Sequence, residues 1–215
     1  MGFRVIIFGF LVSIVLISTT CFFILDTNRQ VLKLLLEREA HFDTITTSAA
    51  EISSYSKRAE GHLFLYLALH RKADGDKFPK RIQSLQEHIE ILSQVVKDVD
   101  SKEILRQIKN KASGILPIGS ALIESHDKMM QSAGYFEMEE YREVIFDLHD
   151  RFSSIRRLGV SMVKHEVHLE NDSKAKIIDS SERMEFYLII MISVTSFVSL
   201  FFGFWIVKII RSLHI

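Results

Sequence analysis

The sequence is poor in turn formers, nearly free of thiols, and carries no excess charge of either sign. Its 215 residues include only 2 Pro and 9 Gly. Folds built from many short strands need tight turns, so this scarcity excludes an all-β architecture. One cysteine, Cys21, cannot form an intramolecular disulfide, and any extracytoplasmic part must hold together by packing alone. The 27 basic side chains are balanced by 27 acidic ones, which leaves no net basic surface for phosphate recognition and excludes an electrostatic nucleic-acid binder. The chain also lacks a glycine-rich phosphate loop, cysteine pairs at metal spacing, a haem-attachment motif and HExxH. No enzymatic activity and no cofactor are therefore expected. What the sequence does hold is apolar: 47% hydrophobic against 25% charged residues, the balance of a chain that buries surface rather than stays disordered.

Two uncharged runs account for much of that. Val5 to Leu25 and Phe186 to Val207 each have the length of about twenty residues that a helix needs to cross a bilayer. Glu185 bounds the second run on one side, Lys208 and Arg211 on the other, and Trp205 falls where an aromatic sits at headgroup level. Arg4 before the first run and Lys208 with Arg211 after the second place both termini in the cytoplasm by the positive-inside rule. Arg29 and Lys33 oppose this, but a segment of about 160 residues translocates largely regardless of its charge. A cleaved signal peptide is the competing reading of the N-terminus, with Ser18, Thr19 and Thr20 near a cut. It is disfavoured because Phe22, Phe23, Ile24 and Leu25 prolong the apolar run. Thr20 is likewise a poor residue before a lipidated Cys21.

Between the runs the period is helical. Phe78, Ile82, Leu85, Ile89, Leu92, Val96 and Val99 alternate steps of four and three, a heptad seam. Three further stripes keep those steps with lapses: Leu35, Phe42, Ile45, Ala49, Ile52, Ala59, Leu63 and Tyr66; Ile104, Ile108, Ile115, Ile118, Leu122 and Met129; and Tyr141, Ile145, Leu148, Phe152, Ile155, Gly159 and Met162. Four such stripes need one shared core, so the fold class is all-α: an antiparallel four-helix bundle whose two long helices continue into two transmembrane helices. Turns are expected at Ala73–Asp76, with a left-handed Gly75 and Pro79 just inside the next helix. Others are expected at Asp98–Ser101, with Ser101 as N-cap, and at Ser132–Gly134. Pro117 is expected to kink the third helix. The outer helices, residues 26 to about 72 and about 138 to 185, would each run roughly 70 Å at 1.5 Å per residue, longer than the middle pair. A two-helix stalk results, poorly buried unless a homodimer completes it. The division is thus 1–4 cytoplasmic, 5–25 transmembrane, 26–185 periplasmic bundle and stalk, 186–207 transmembrane and 208–215 cytoplasmic.

Candidate sites come from matched heights. In antiparallel outer helices, residues whose numbers sum to about 211 lie level, which pairs His62 with His149 and brings His88 near them. Such a layer could bind a transition metal or titrate between about pH 5 and 8, although positions flanking a core are ordinary places for polar residues. Arg58, Arg151, Arg156 and Arg157 could clamp a carboxylate, or simply pair with Glu60, Asp147 or Asp150. His165-Glu166-Val167-His168 offers a metal pair or a phosphoacceptor-like box, the latter without its proline or an ATP-binding sequence; a solvated stalk face is the reading adopted. Gly9 with Ser13, and Ser199 with Gly203, are small pairs four apart that suit transmembrane packing.

This organisation resembles the periplasmic four-helix-bundle sensory module of methyl-accepting chemotaxis receptors and membrane sensor histidine kinases. EISSYSKRAEGHLFLYLALHRKADGDKFPKRI is similar to the first bundle hairpin of such kinases, and Lys208-Ile209-Ile210-Arg211-Ser212-Leu213 to the opening of a HAMP linker. The resemblance implies a bacterial inner-membrane receptor that detects a periplasmic small ligand or protein. It would signal to a cytoplasmic partner, or to an output domain if the chain is the input half of a longer receptor. The other function class is a non-sensing two-span scaffold that assembles through its bundle.

Overall fold

The computed structural model describes residues 2–131 and 141–213, and every element among them is an α-helix. These are α1 (Gly2–Leu69), α2 (Lys72–Gly75), α3 (Lys77–Val95), α4 (Val99–Ala112), α5 (Ile115–Gln131) and α6 (Arg142–Leu213). The expected turn at Ser132–Gly134 and the helix start near Met138 lie outside the described residues. Two compact units divide the chain, one of residues 39–170 and one of residues 1–38 with 171–215.

The first unit is held by apolar seams at heptad spacing. On α1, Ile45, Ala49, Ile52, Ser56, Ala59, Leu63 and Tyr66 are buried; on α6, Leu148, Phe152, Ile155 and Met162 are, together with Gly159. Small residues let these two helices touch backbone to side chain. Ser56 Oγ donates to the Phe152 carbonyl at 3.1 Å and Ser53 Oγ to that of Arg156 at 3.3 Å. Numbers rise on α1 as they fall on α6, so the pair runs antiparallel. Phe78, Ile82, Leu85, Ile89 and Leu92 of α3 fill the same core, and α3 packs on α4 and α5. Phe42, Tyr141 and Ile145, expected in the seams, are only half-buried, as is Leu35 in the other unit.

Several expectations change at the element ends. Val96, buried, caps α3, and Val99 beyond it is 77% exposed rather than part of the seam. Asp98, not Ser101, is the N-cap of α4: its carboxylate accepts from the backbone N–H groups of Asp100 and Ser101, both at 3.0 Å. Ser101 points instead into the core. At the first turn the left-handed residue is His70 rather than Gly75, and α2 occupies what was expected to be an irregular turn. Pro117 does not kink one long helix; the chain breaks at Ser113 and Gly114 into α4 and α5. Pro117 is then the third residue of α5, where its missing N–H has no intrahelical partner to lose. The seam crosses this break without losing step, through Leu105, Ile108, Ala112, Ile115, Gly119, Leu122 and His126. Ile104 and Ile118, expected in it, are half-buried at its edge.

The second unit contains the apolar ends of α1 and α6. Both helices carry stretches long and apolar enough to cross a membrane, and those stretches are only 12% and 0% buried. A core helix of a soluble domain would be mostly covered, whereas here Phe8, Phe22, Phe197, Leu200 and Phe204 stand exposed. Four hydroxyls on these stretches are satisfied within their own helix. Thr19, Thr20, Ser193 and Thr195 donate to the carbonyls of Val15, Leu16, Ile189 and Met191, at 2.8, 2.8, 2.7 and 2.8 Å. That satisfaction suits a solvent with no hydrogen bonds to offer.

Candidate functional site

The end of α1 is where polar chemistry converges. Tyr66 and Leu67 are buried, α1 closes at Leu69, and His70 turns the chain with φ of 49° while its N–H donates to the Tyr66 carbonyl at 2.8 Å. Left-handed backbone is costly for a residue with a Cβ, and glycine is the usual occupant at a helix end. The conformation brings the His70 ring to α5, with its Nδ1 3.3 Å from Nδ1 of His126. His126 is 2% exposed, on the seam one heptad step beyond Leu122, and also bonds to the Leu67 backbone. Its neighbour Asp127 accepts a hydrogen bond from the Tyr66 hydroxyl, and the Tyr66 ring lies 5.5 Å from that of His70 and 5.2 Å from that of His126.

Burial governs the protonation of His126 and Tyr66. It lowers the His126 pKa, with the nearby His70 adding to the effect, so the imidazole favours its neutral form. Burial also raises the Tyr66 pKa, reinforced by the Asp127 carboxylate, which keeps the phenol a donor. A cavity of about 520 Å³ opens beside the cluster, lined by Tyr66, His70, Lys72, Gly75, Asp127 and Gln131 among others. His70, His126 and Asp127 bring one ligand atom each within 4.8 Å of one another. Asp98, Asp100 and His165 form a second such group, but the Asp98 oxygen that meets His165 at 2.9 Å is already the helix cap.

His62, His88 and His149 do not converge. His62 Nδ1 meets Asp74 Oδ1 at 2.9 Å, tying α1 to α2, with Arg71 3.2 Å from the other oxygen of that buried carboxylate. His149 Nδ1 meets Glu60 Oε1 at 2.7 Å, and Arg156 pairs with the other Glu60 oxygen, which joins α1 to α6. His88 stacks on Tyr55 at 5.5 Å, and its buried Nδ1 has no hydrogen-bond partner among the described residues. Arg58 stands over the same Tyr55 ring with Arg81, while Arg151 holds Asp147 at 2.7 Å, so the arginines are spread over separate partners. Glu166 is no solvated stalk residue: 7% exposed, it accepts from the Ser101 hydroxyl at 2.6 Å.

Among the small span residues, a Cβ on Gly9 would meet the Phe202 ring at 3.1 Å, and Ser199 Oγ donates to Ser13 Oγ at 3.4 Å. Gly203 faces open space.

The cluster at His70 is not legible in the apolar stripes, because the seam position that reaches it, His126, is polar. The signal that finds it is the heptad count itself, which runs from Leu105 through Leu122 onto His126. No protein-family model matches the chain, and neither does any curated protein or solved structure.

Proposed function

We propose that the chain is the sensory input module of a bacterial two-span receptor, with residues 26–185 periplasmic and both termini cytoplasmic. Its distal core is an antiparallel four-helix bundle in which α1, α3, α4 with α5, and α6 supply the four stripes. One observation carries the reading: α6 is a single helix from Arg142 to Leu213 that holds both the buried seam at Leu148–Met162 and the apolar stretch at 186–207. A change in how the seam packs could then be passed along one continuous helix as a displacement of about 1–2 Å, the usual size of such switches. Two subunits side by side would complete the thinly covered residues between seam and span, and the open Gly203 face suits close helix contact in lipid.

The test needs no known ligand. With the chain fused to a HAMP linker and a kinase output, Gly119→Ala presses on the Phe78 ring in the core and is expected to shift basal output. Adding Ser173→Pro should abolish that shift, because a mid-helix proline breaks the ladder at a cost of about 3 kcal/mol or more. A shift that survives Ser173→Pro sinks transmission through α6, and no shift from any core variant favours a non-sensing scaffold.

A further inference from the structure

His70 occupies a conformation in which glycine would rest more easily, and what the chain gains is the position of its ring. Its Nδ1 and that of His126 stand 3.3 Å apart. In a tetrahedral site with metal–nitrogen bonds of about 2.0–2.1 Å, two ligand nitrogens are separated by about 3.3–3.4 Å, the edge of the tetrahedron. Two imidazole nitrogens facing each other at that distance can share only one proton. A cation between them uses both lone pairs. Asp127 supplies the third ligand atom within 4.8 Å, and the charge that offsets part of a dication. The surroundings are those of a built site. Tyr66 donates to one Asp127 oxygen and leaves the other available; the Leu67 backbone fixes the His126 ring; the cavity beside them leaves room for a fourth ligand.

We propose that His70, His126 and Asp127 bind a divalent transition-metal ion of the zinc, nickel or cobalt class, with a fourth coordination position open to the cavity. Two imidazoles and one carboxylate suit ions of intermediate softness better than magnesium or calcium, which take oxygen ligands. The site stands apart from the sensory reading, since the ion could be a signal or a fixed structural ligand.

The measurement is titration of the full chain, in detergent micelles and freed of metal by chelation, with Co²⁺, whose visible absorption reports tetrahedral coordination. One equivalent per chain is expected, displaced by Zn²⁺. His70→Asn removes an exposed ligand while keeping a residue that tolerates left-handed backbone. It should melt like the parent without metal yet bind Co²⁺ at least about tenfold more weakly, as should Asp127→Asn. His165→Asn, at the second cluster, should bind as the parent does. Absence of saturable binding, an unchanged titration in His70→Asn, or loss of binding in His165→Asn would overturn the proposal.

Discussion

Gly119, Gly159 and Gly61 all lie inside helices, yet their surroundings differ. A Cβ on Gly119 would stand 2.3 Å from Cζ of Phe78, a fully buried ring with nowhere to swing, and one on Gly159 would stand 2.9 Å from the Ala49 carbonyl oxygen on α1. Gly61 has nothing within 4 Å of that position. Alanine at Gly119 or Gly159 is therefore expected to destabilise the 39–170 unit by about 1–3 kcal/mol through overpacking. At Gly61 it should stabilise by about 0.5–1 kcal/mol, because glycine is a poor helix residue. Denaturant midpoints of the three variants give opposite signs if the close approach of α1, α3, α5 and α6 is as described. Spacing alone places Gly159 on the seam; the contact that demands glycine there is with Ala49 of a helix about 110 residues earlier in sequence, and no local pattern encodes it.

Asp98 shows how an element end is set by atoms rather than by composition. Its carboxyl is held down to about pKa 2, first by the Ser101 backbone N–H and then by His165. A carboxylate depressed in the folded state adds stability that is fully present above its ordinary value of about 4 and is lost as pH falls toward the folded one. Unfolding midpoints should thus fall between about pH 4 and 2. In Asp98→Asn, which keeps a capping side chain, that fall should be shallower; an unchanged profile would remove Asp98 from the acid response. Ser101 had the composition of an N-cap, but its hydroxyl serves Glu166 across the core. The α4–α5 break is similar. Pro117 announced an interruption, while the turn at residues 113–114 places it in a first turn, where proline costs little.

For the whole molecule, the unburied apolar stretches of α1 and α6 fit lipid contact, and the charge at their ends is the basis of the proposed orientation. Periplasmic-reporter activity is expected from fusions at Asp74, and cytoplasmic-reporter activity from fusions after Leu213. The reverse pattern would refute the assigned orientation, since Arg4, Lys208 and Arg211 are the residues on which it rests.

Helix content, the two apolar stretches and most of three seams were determined by the sequence, because periodicity and run length are local and survive any arrangement of partners. The seam of α4 and α5 was half legible. Ala112, Gly119 and His126 sit in it with too little hydrophobicity to mark it, while the more apolar Ile104 and Ile118 lie at its edge. Only the tertiary structure decided which polar side chains meet. His62, His88 and His149 were brought level by arithmetic on helix length, yet their rings face Asp74, Tyr55 and Glu60. His70 and His126, far apart in sequence and in no common motif, were joined by one left-handed residue at a helix end. Height along a bundle follows from residue counts, but the direction of a side chain at that height follows from backbone dihedrals and neighbours that the counts do not contain.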